Sequence, residues 1–245
     1  MYVRRSFGVA FFLEYSLNKS TFLLADEIAS CQKCPRLVSY CASFRGVENP
    51  KFPGFDYWAK PVPGFGDPNG RLLIIGLAPG AQGANRTGRP FTGDGAGEVL
   101  YRALYKHGFA NQDAVVDRDD GLALDGVYIT NAVKCVPPQN RPIGSEKQNC
   151  LPWLAAELPL LKNVKMVLAM GKDAFDSYLR LLKSQNKIEK LNAYRFAHEA
   201  VYRFENAPTQ LVATYHFSRY NMNTGVLTEK MIDELFKKVR RLLKE

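Results

Sequence analysis

Cysteine and histidine are scarce in this 245-residue chain, five and three respectively, so their placement carries information. Cys31 and Cys34 form a C-x2-C pair, and Cys135 and Cys150 form a second, wider pair. Four thiolates in two pairs are the donor set of a tetrahedral zinc or a cubane iron–sulfur cluster, and spacing does not separate the two. An odd number of cysteines spread over a chain this long is not a disulfide framework. The competing reading is ordinary buried cysteine. The polar, proline-bearing surroundings (Lys33, Pro35, Lys134, Pro137) favour ligation over core packing. Cys41 stands outside the pairs and reads as a small buried hydrophobe.

Three further stretches have polar chemistry next to apolar runs. The densest is Gly76 to Gly97, GLAPGAQGANRTGRPFTGDGAG, with seven glycines. A glycine-rich loop after a strand can cradle an anion with backbone amides. No Gly-Lys-Ser/Thr follows, so it is not a Walker loop, and Pro79 removes one amide from any dinucleotide-type turn. The second stretch is Thr130-Asn131, with Cys135 four residues past the asparagine. The third is His216-Phe217-Ser218-Arg219-Tyr220-Asn221.

The elements that must position these residues alternate. Leu72 to Gly76, Val127 to Val133, Val164 to Met170 and Gln210 to Tyr215 are continuous apolar runs, the signature of buried parallel strands. Helical spacing marks Glu98 to His107, Ser145 to Leu161 (with Ser145 as its cap), Asp173 to Leu182 and Thr228 to Leu243. The alternation predicts an α/β three-layer sandwich around a central, mainly parallel four-stranded sheet, as a single domain over 1–245. Ligands gather beyond the carboxyl ends of such strands, where all three polar stretches lie. Asp113 to Asp125 reads as a solvated acidic connection. Lys237, Lys238, Arg240 and Arg241 read as a solvated basic face. Arg4 and Arg5 ahead of Phe7 to Leu13 suggest a secretory leader, but Glu14 interrupts the run. Residues 1–20 are therefore expected to be a tail or an extra helix of a cytoplasmic protein.

Taken together, GLAP, NRTGRPFTGD, TNAVKC and H-x-S-x-x-N resemble the uracil-DNA glycosylase superfamily, most closely its iron–sulfur family 5, or B type. The resemblance runs from about Cys31 to the last helix. Family 4 is the near neighbour, with an acidic residue where this chain has Leu77. Two departures stand out: Gly80 and Gln82 replace the alanine and histidine of GLAPAAHG, and Phe217 replaces a proline or smaller residue. No histidine at position 82 can act here.

The resemblance implies a 4Fe–4S cluster, rather than zinc, on Cys31, Cys34, Cys135 and Cys150. It implies a monofunctional glycosylase that flips uracil out of DNA and hydrolyses its N-glycosidic bond, leaving an abasic site. Phe91 would stack on the base and Asn131 would meet its hydrogen-bonding edge, with Gly76 and Ala78 lining the pocket. His216 would stabilise the departing anion. Asp94 would orient water or stabilise the sugar cation, although it also stands where a helix cap belongs. Ser218, Arg219, Asn221, Arg86 and Arg89 would touch the DNA backbone or wedge the duplex. The net charge of +9 suits a polyanionic partner. The expected partner is damaged DNA, with a sliding clamp as a candidate second one, no membrane, and a monomeric chain. A thermophilic source is suggested by the resemblance more than by composition. Three alternatives remain at this level: a family 4 enzyme restricted to uracil, a non-catalytic iron–sulfur DNA-binding protein, and an electron carrier.

Overall fold

A computed structural model describes residues 20–245, so the expectations for Arg4 through Glu14 lie outside the described residues. After α1 (Thr21–Ala29) and α2 (Pro35–Ala42), the chain builds β1 (Phe65–Gly66), β2 (Leu72–Gly76), α3 (Ala84–Thr87), α4 (Gly95–Lys106) and β3 (Val127–Asn131). It continues through α5 (Gly144–Glu157), β4 (Met166–Met170), α6 (Lys172–Ser184), β5 (Val201–Phe204), β6 (Ala207–Thr214), α7 (Arg219–Asn223) and α8 (Glu229–Leu242). The sheet has six strands in the order β1-β3-β2-β4-β6-β5, which corrects the expected four. The four anticipated strands are its parallel centre; β1 and β5 add antiparallel edges. Those edges lack a continuous apolar run: β1 has two residues, and only Phe204 of β5 is fully buried.

Successive side chains on a strand face opposite ways, so a strand buried on both faces must be apolar throughout. Leu72, Ile74, Val127, Ile129, Met166, Leu168 and Val212 face the layer containing α4 and α8, against Leu100, Leu104, Leu235 and Phe236. Leu73, Ile75, Val167, Ala169, Leu211 and Ala213 face the opposite layer, against Leu154, Phe175, Tyr178 and Leu182. The register sets Gly76 opposite Asn131, and Met170 opposite Thr214, so the strands end at a common level. Among the described residues no helix is long and apolar enough to cross a membrane.

Three local expectations need correction. α5 begins at Gly144, not at a Ser145 cap; Glu146 Oε2 instead accepts from the Ile143 amide at 2.9 Å. The acidic connection is anchored rather than merely solvated, because Asp120 binds Arg89 and accepts from the Val116 and Leu122 amides. The basic run of α8 is not a free face: Arg240 Nε donates to the His107 carbonyl and Lys238 Nζ to the Glu199 carbonyl.

Candidate active site

The β2 exit gathers Phe91, Asp94 and several glycines. Phe91 is buried and held at φ 55, a left-handed conformation that is costly for a bulky residue. The loop around it is cross-braced. The Tyr101 hydroxyl donates to the Pro90 carbonyl at 2.7 Å, and Arg89 Nε donates to Thr92 Oγ1 at 2.8 Å. The Arg89 amide donates to the Thr87 hydroxyl at 3.3 Å. Burial pushes the Tyr101 hydroxyl far above its usual pKa, so it stays a neutral donor. Gly97 lets α4 start directly under Phe91: a Cβ there would collide with the Phe91 carbonyl oxygen. A Cβ on Gly76 would stand 2.5 Å from both the Phe91 ring and Asn131 Oδ1, so these two side chains converge over the bare Cα of Gly76.

Asp94 is the N-cap of α4, and its Oδ1 accepts from the Gly97 amide at 2.8 Å. Its Oδ2 lies over Gly80, where a Cβ would approach to 3.1 Å, and over Gly83, where one would collide. Capping therefore uses one carboxylate oxygen and leaves the other. Asn131 is buried, and its Oδ1 has no hydrogen-bond partner within the protein. The Ala132 and Val133 amides donate to the Gly76 and Leu77 carbonyls, both at 2.9 Å, which zips the β3 exit to the β2 exit.

His216 follows β6 and lies beside Gly171, the residue after β4, whose φ of 94 suits glycine. Burial lowers the His216 pKa below the usual histidine range, while the charge of Asp94 acts in the opposite direction. Asn221 Nδ2 donates to the His216 carbonyl at 2.8 Å, and the Asn221 amide to Ser218 Oγ at 3.2 Å. Ser218 and Asn221 thus shape the His216 turn and cap α7. Arg219 is 74% exposed, crosses Gly95 and reaches Glu98 at 3.5 Å.

Other anticipated residues lie elsewhere. Arg89, 3% exposed, makes a bidentate pair with Asp120 at 2.9 and 2.7 Å. Arg86 is buried between the rings of Phe52 and Phe55 and donates to the Gln82 and Val116 carbonyls. Both guanidinium groups serve the protein's interior, which argues against their expected contacts with a DNA backbone. Ala78 packs toward the cysteines rather than toward Phe91. Gln82 is exposed and accepts from Tyr57 Oη and Asn49 Nδ2, and Phe217 is fully buried core.

Cys34, Cys41, Cys135 and Cys150 share one layer with Leu37, Val133 and Val136, and Cys31 is half-buried beside Trp153 at its edge. Cys41 is buried within it as a small hydrophobe, as expected, and lies against Cys135. That contact, with burial and the nearby thiols of Cys150 and Cys31, drives the Cys135 pKa far up. Burial raises Cys150 to about 11. Trp153 Nε1 and Asn149 Nδ2 point at Cys31 Sγ and Cys34 Sγ at 3.4 and 3.5 Å. Arg36 clamps Glu146 with two 2.7 Å bonds, joining α2 to α5 beside these thiols. Crowded thiols ringed by N–H donors suit a thiolate-ligated centre, although among the described residues no three His, Cys, Asp or Glu side chains stand in ligating array.

Sequence reasoning did not single out Gly83, Tyr101 or Gly171, and it read Asp120 only as part of a solvated acidic connection. Gly171 carried a usable signal, as the glycine directly after an apolar strand. Asp120 carried none, because its partner lies 31 residues away.

The comparisons with known proteins agree with this arrangement. The profile described as the Uracil DNA glycosylase superfamily matches residues 63–240. The chain is 42% identical over 217 residues to the type-5 uracil-DNA glycosylase of Thermus thermophilus, covering 89% of this chain and 95% of that one. It is 39% identical to the type-5 enzyme of Pyrobaculum aerophilum, over 87% of this chain and 89% of the relative. Against the type-4 enzyme of the same organism identity falls to 32%, over 79% and 80%. With the profile spanning the whole sheet and its exits, and likeness to type-5 enzymes extending over most of the chain, this protein belongs to the uracil-DNA glycosylase superfamily.

Proposed function

We propose that this protein is a type-5 uracil-DNA glycosylase, which hydrolyses the bond between C1′ and N1 of a flipped-out uracil and leaves an abasic site. The carrying observation is the convergence at the strand ends: Phe91 and Asn131 over Gly76, Asp94 over Gly80 and Gly83 of the same loop, and His216 beside Gly171 at the adjoining strand end. In this reading the Phe91 ring stacks on the base, and the Asn131 amide supplies both an acceptor and donors to its edge. The unpartnered Asn131 Oδ1 is the acceptor for a base N–H.

As the glycosidic bond breaks, its electron pair leaves with the base and positive charge grows at C1′. His216, kept neutral at pH 7 by burial, donates a hydrogen bond to the anionic base without surrendering the proton. Asp94 Oδ2 stabilises the sugar cation and orients water. The water oxygen then bonds to C1′ and its released proton neutralises the base anion. Arg219, exposed at the rim, contacts the duplex, and Ser218 and Asn221 hold the His216 turn.

Cys31, Cys34, Cys135 and Cys150 are the residues that would hold a 4Fe–4S cluster. Its contribution would be a structural tie between the N-terminal helices and the β3 exit. The partner is DNA carrying uracil or another deaminated base; the chain acts as a cytoplasmic monomer, with a sliding clamp as a candidate escort.

Base release from a duplex with one U·G pair, revealed by alkali cleavage, tests the reading. His216→Ala should lose about 10²- to 10³-fold, worth roughly 2.7–4 kcal/mol. Asp94→Asn keeps the cap, since Asn caps as well as Asp, yet should also lose most activity. A folded Asp94→Asn variant with full activity would confine Asp94 to capping. Tight DNA binding with no release from U·G or hypoxanthine duplexes would favour a binding protein.

A further inference from the structure

The β3 exit rests on a buried ion pair that the excision chemistry does not use. The side chains of Lys134 and Glu157 are 1% and 2% exposed. Lys134 Nζ donates to Glu157 Oε2 at 2.7 Å and to Thr130 Oγ1 at 2.6 Å. The Thr130 hydroxyl in turn donates to Glu157, 2.9 and 3.0 Å from its two oxygens. Lys134 is the one buried lysine among the described residues.

Its members occupy telling places. Thr130 immediately precedes Asn131, Lys134 immediately precedes Cys135, and Glu157 ends α5, the helix that carries Cys150. The Lys134 carbonyl also accepts from the Val62 amide at 2.7 Å. Strand alternation turns Thr130 away from the face that Asn131 presents to Phe91. The backbone is thereby pinned on both sides of Asn131, one residue before it and three after, from behind the base pocket.

Stability is a poor reason for such a pair. Removing two charges from water costs several kcal/mol per ion, and packed apolar residues of similar volume often do as well or better. A charged, hydrogen-bonded triad imposes direction, which hydrocarbon does not. We propose that Thr130, Lys134 and Glu157 are positioning residues for Asn131, holding the 131–134 turn in the one conformation that presents the amide to the flipped base. This rests on the base-reading role given to Asn131 above.

The test compares full-length wild type, Asn131→Ala, Thr130→Ser, and an apolar triple variant (Thr130→Val, Lys134→Met, Glu157→Leu). KM and kcat on the U·G duplex, melting temperature, iron per chain and amide hydrogen exchange are measured on each. In the triple variant the melting temperature should stay within about 4 °C, the shift that 1 kcal/mol produces in a domain of this size. Its KM should rise about tenfold with kcat little changed, the mark of a lost ground-state contact. Thr130→Ser, which keeps the hydroxyl, should retain wild-type KM. The Ala132 and Val133 amides should exchange faster while the sheet centre is unchanged, and iron content should be unaltered. Adding Asn131→Ala to the triple variant should raise KM no further.

Wild-type KM in the triple variant beside a raised KM in Asn131→Ala would overturn the positioning role alone. A wild-type KM in Asn131→Ala would remove the base-reading role, and the proposal with it. A KM rise that tracks iron loss would move the triad's role to the cysteine layer and overturn the proposal too. If the triple variant does not fold, Thr130→Val against Thr130→Ser makes the same comparison with the ion pair intact: equal KM values overturn the proposal.

Discussion

Two exits from one sheet hold the two side chains assigned to the base, by opposite means. At the β2 exit, Phe91 is placed by subtraction: Gly76 and Gly97 have no Cβ, and the ring and backbone occupy the space released. At the β3 exit, Asn131 is placed by addition: a buried ammonium, carboxylate and hydroxyl lock the chain on either side of it. The first method tolerates a strained φ of 55 because hydrogen bonds from Tyr101 and Arg89 enclose the loop. The second needs no strain and uses specific polar geometry. Failure should therefore look different at each exit: steric at the first, directional at the second.

The steric exit should break hardest. In Gly97→Ala the new methyl meets the Phe91 carbonyl, which is backbone and cannot swing aside. Overpacking of this kind costs about 1–3 kcal/mol. A displacement of Phe91 by about 1 Å is enough to cost about 10²-fold in excision. Gly144, also at the start of a helix, has nothing within 4 Å of a built Cβ. Gly144→Ala should accordingly gain about 0.4–1 kcal/mol and keep full activity. Thermal melts and base-release rates on the two variants check the contrast, and equal behaviour would refute the subtractive account of the β2 exit.

Much of this was legible beforehand, because periodicity and burial leave marks in residue type. The four central strands and the three polar exits follow from apolar runs ending in glycine or polar residues, whereas Phe91, Asp94, Asn131 and His216 took their assigned roles from the family resemblance. The edge strands did not show, since two residues of β1 and the mixed VYRF of β5 carry no such pattern. The braces did not show either. Charged residues read as solvated unless their partner is known, and Asp120 and Glu157 find theirs 31 and 23 residues away. Arg86 and Arg89 were misplaced for the same reason: a basic residue in a glycine-rich loop suggests a phosphate until the fold encloses it.

Asp120 sharpens the comparison, because it braces the β2 exit from outside through Arg89. Burial works to raise its pKa, but hydrogen bonds from Arg89 and from the Val116 and Leu122 amides overcome that and hold it at about 2. A carboxylate depressed on folding from 3.8 contributes stability that is fully present above its unfolded value. That stability fades as pH falls through the folded one. The depression corresponds to about 2 kcal/mol. Asp120→Asn should be destabilised by about that much at pH 7 in urea unfolding, with the gap to wild type closing between about pH 5 and pH 2. A gap independent of pH would mean that shape, not charge, holds the brace.

The smallest effect concerns a third exit, where His216 is placed by neither device but by the Asn221 hydrogen bond to its carbonyl and the bare Cα of Gly171 beside it. Burial lowers its pKa below the ordinary 6.5 and the Asp94 charge partly restores it. Removing that charge in Asp94→Asn should therefore move the His216 midpoint further down, not up. Proton NMR titration of the imidazole, assigned with His216→Ala, reads this directly. His107 and His198 are internal controls: burial lowers both as well, but their charged neighbours are Asp233, Lys106 and Arg240 for one and Glu199 and Lys238 for the other. A midpoint unmoved by Asp94→Asn would mean that carboxylate and imidazole do not face one site. A downward shift would show that the carboxylate proposed for the sugar cation also tunes the donor proposed for the departing base. The two halves of the glycosidic bond would then be governed by one coupled pair.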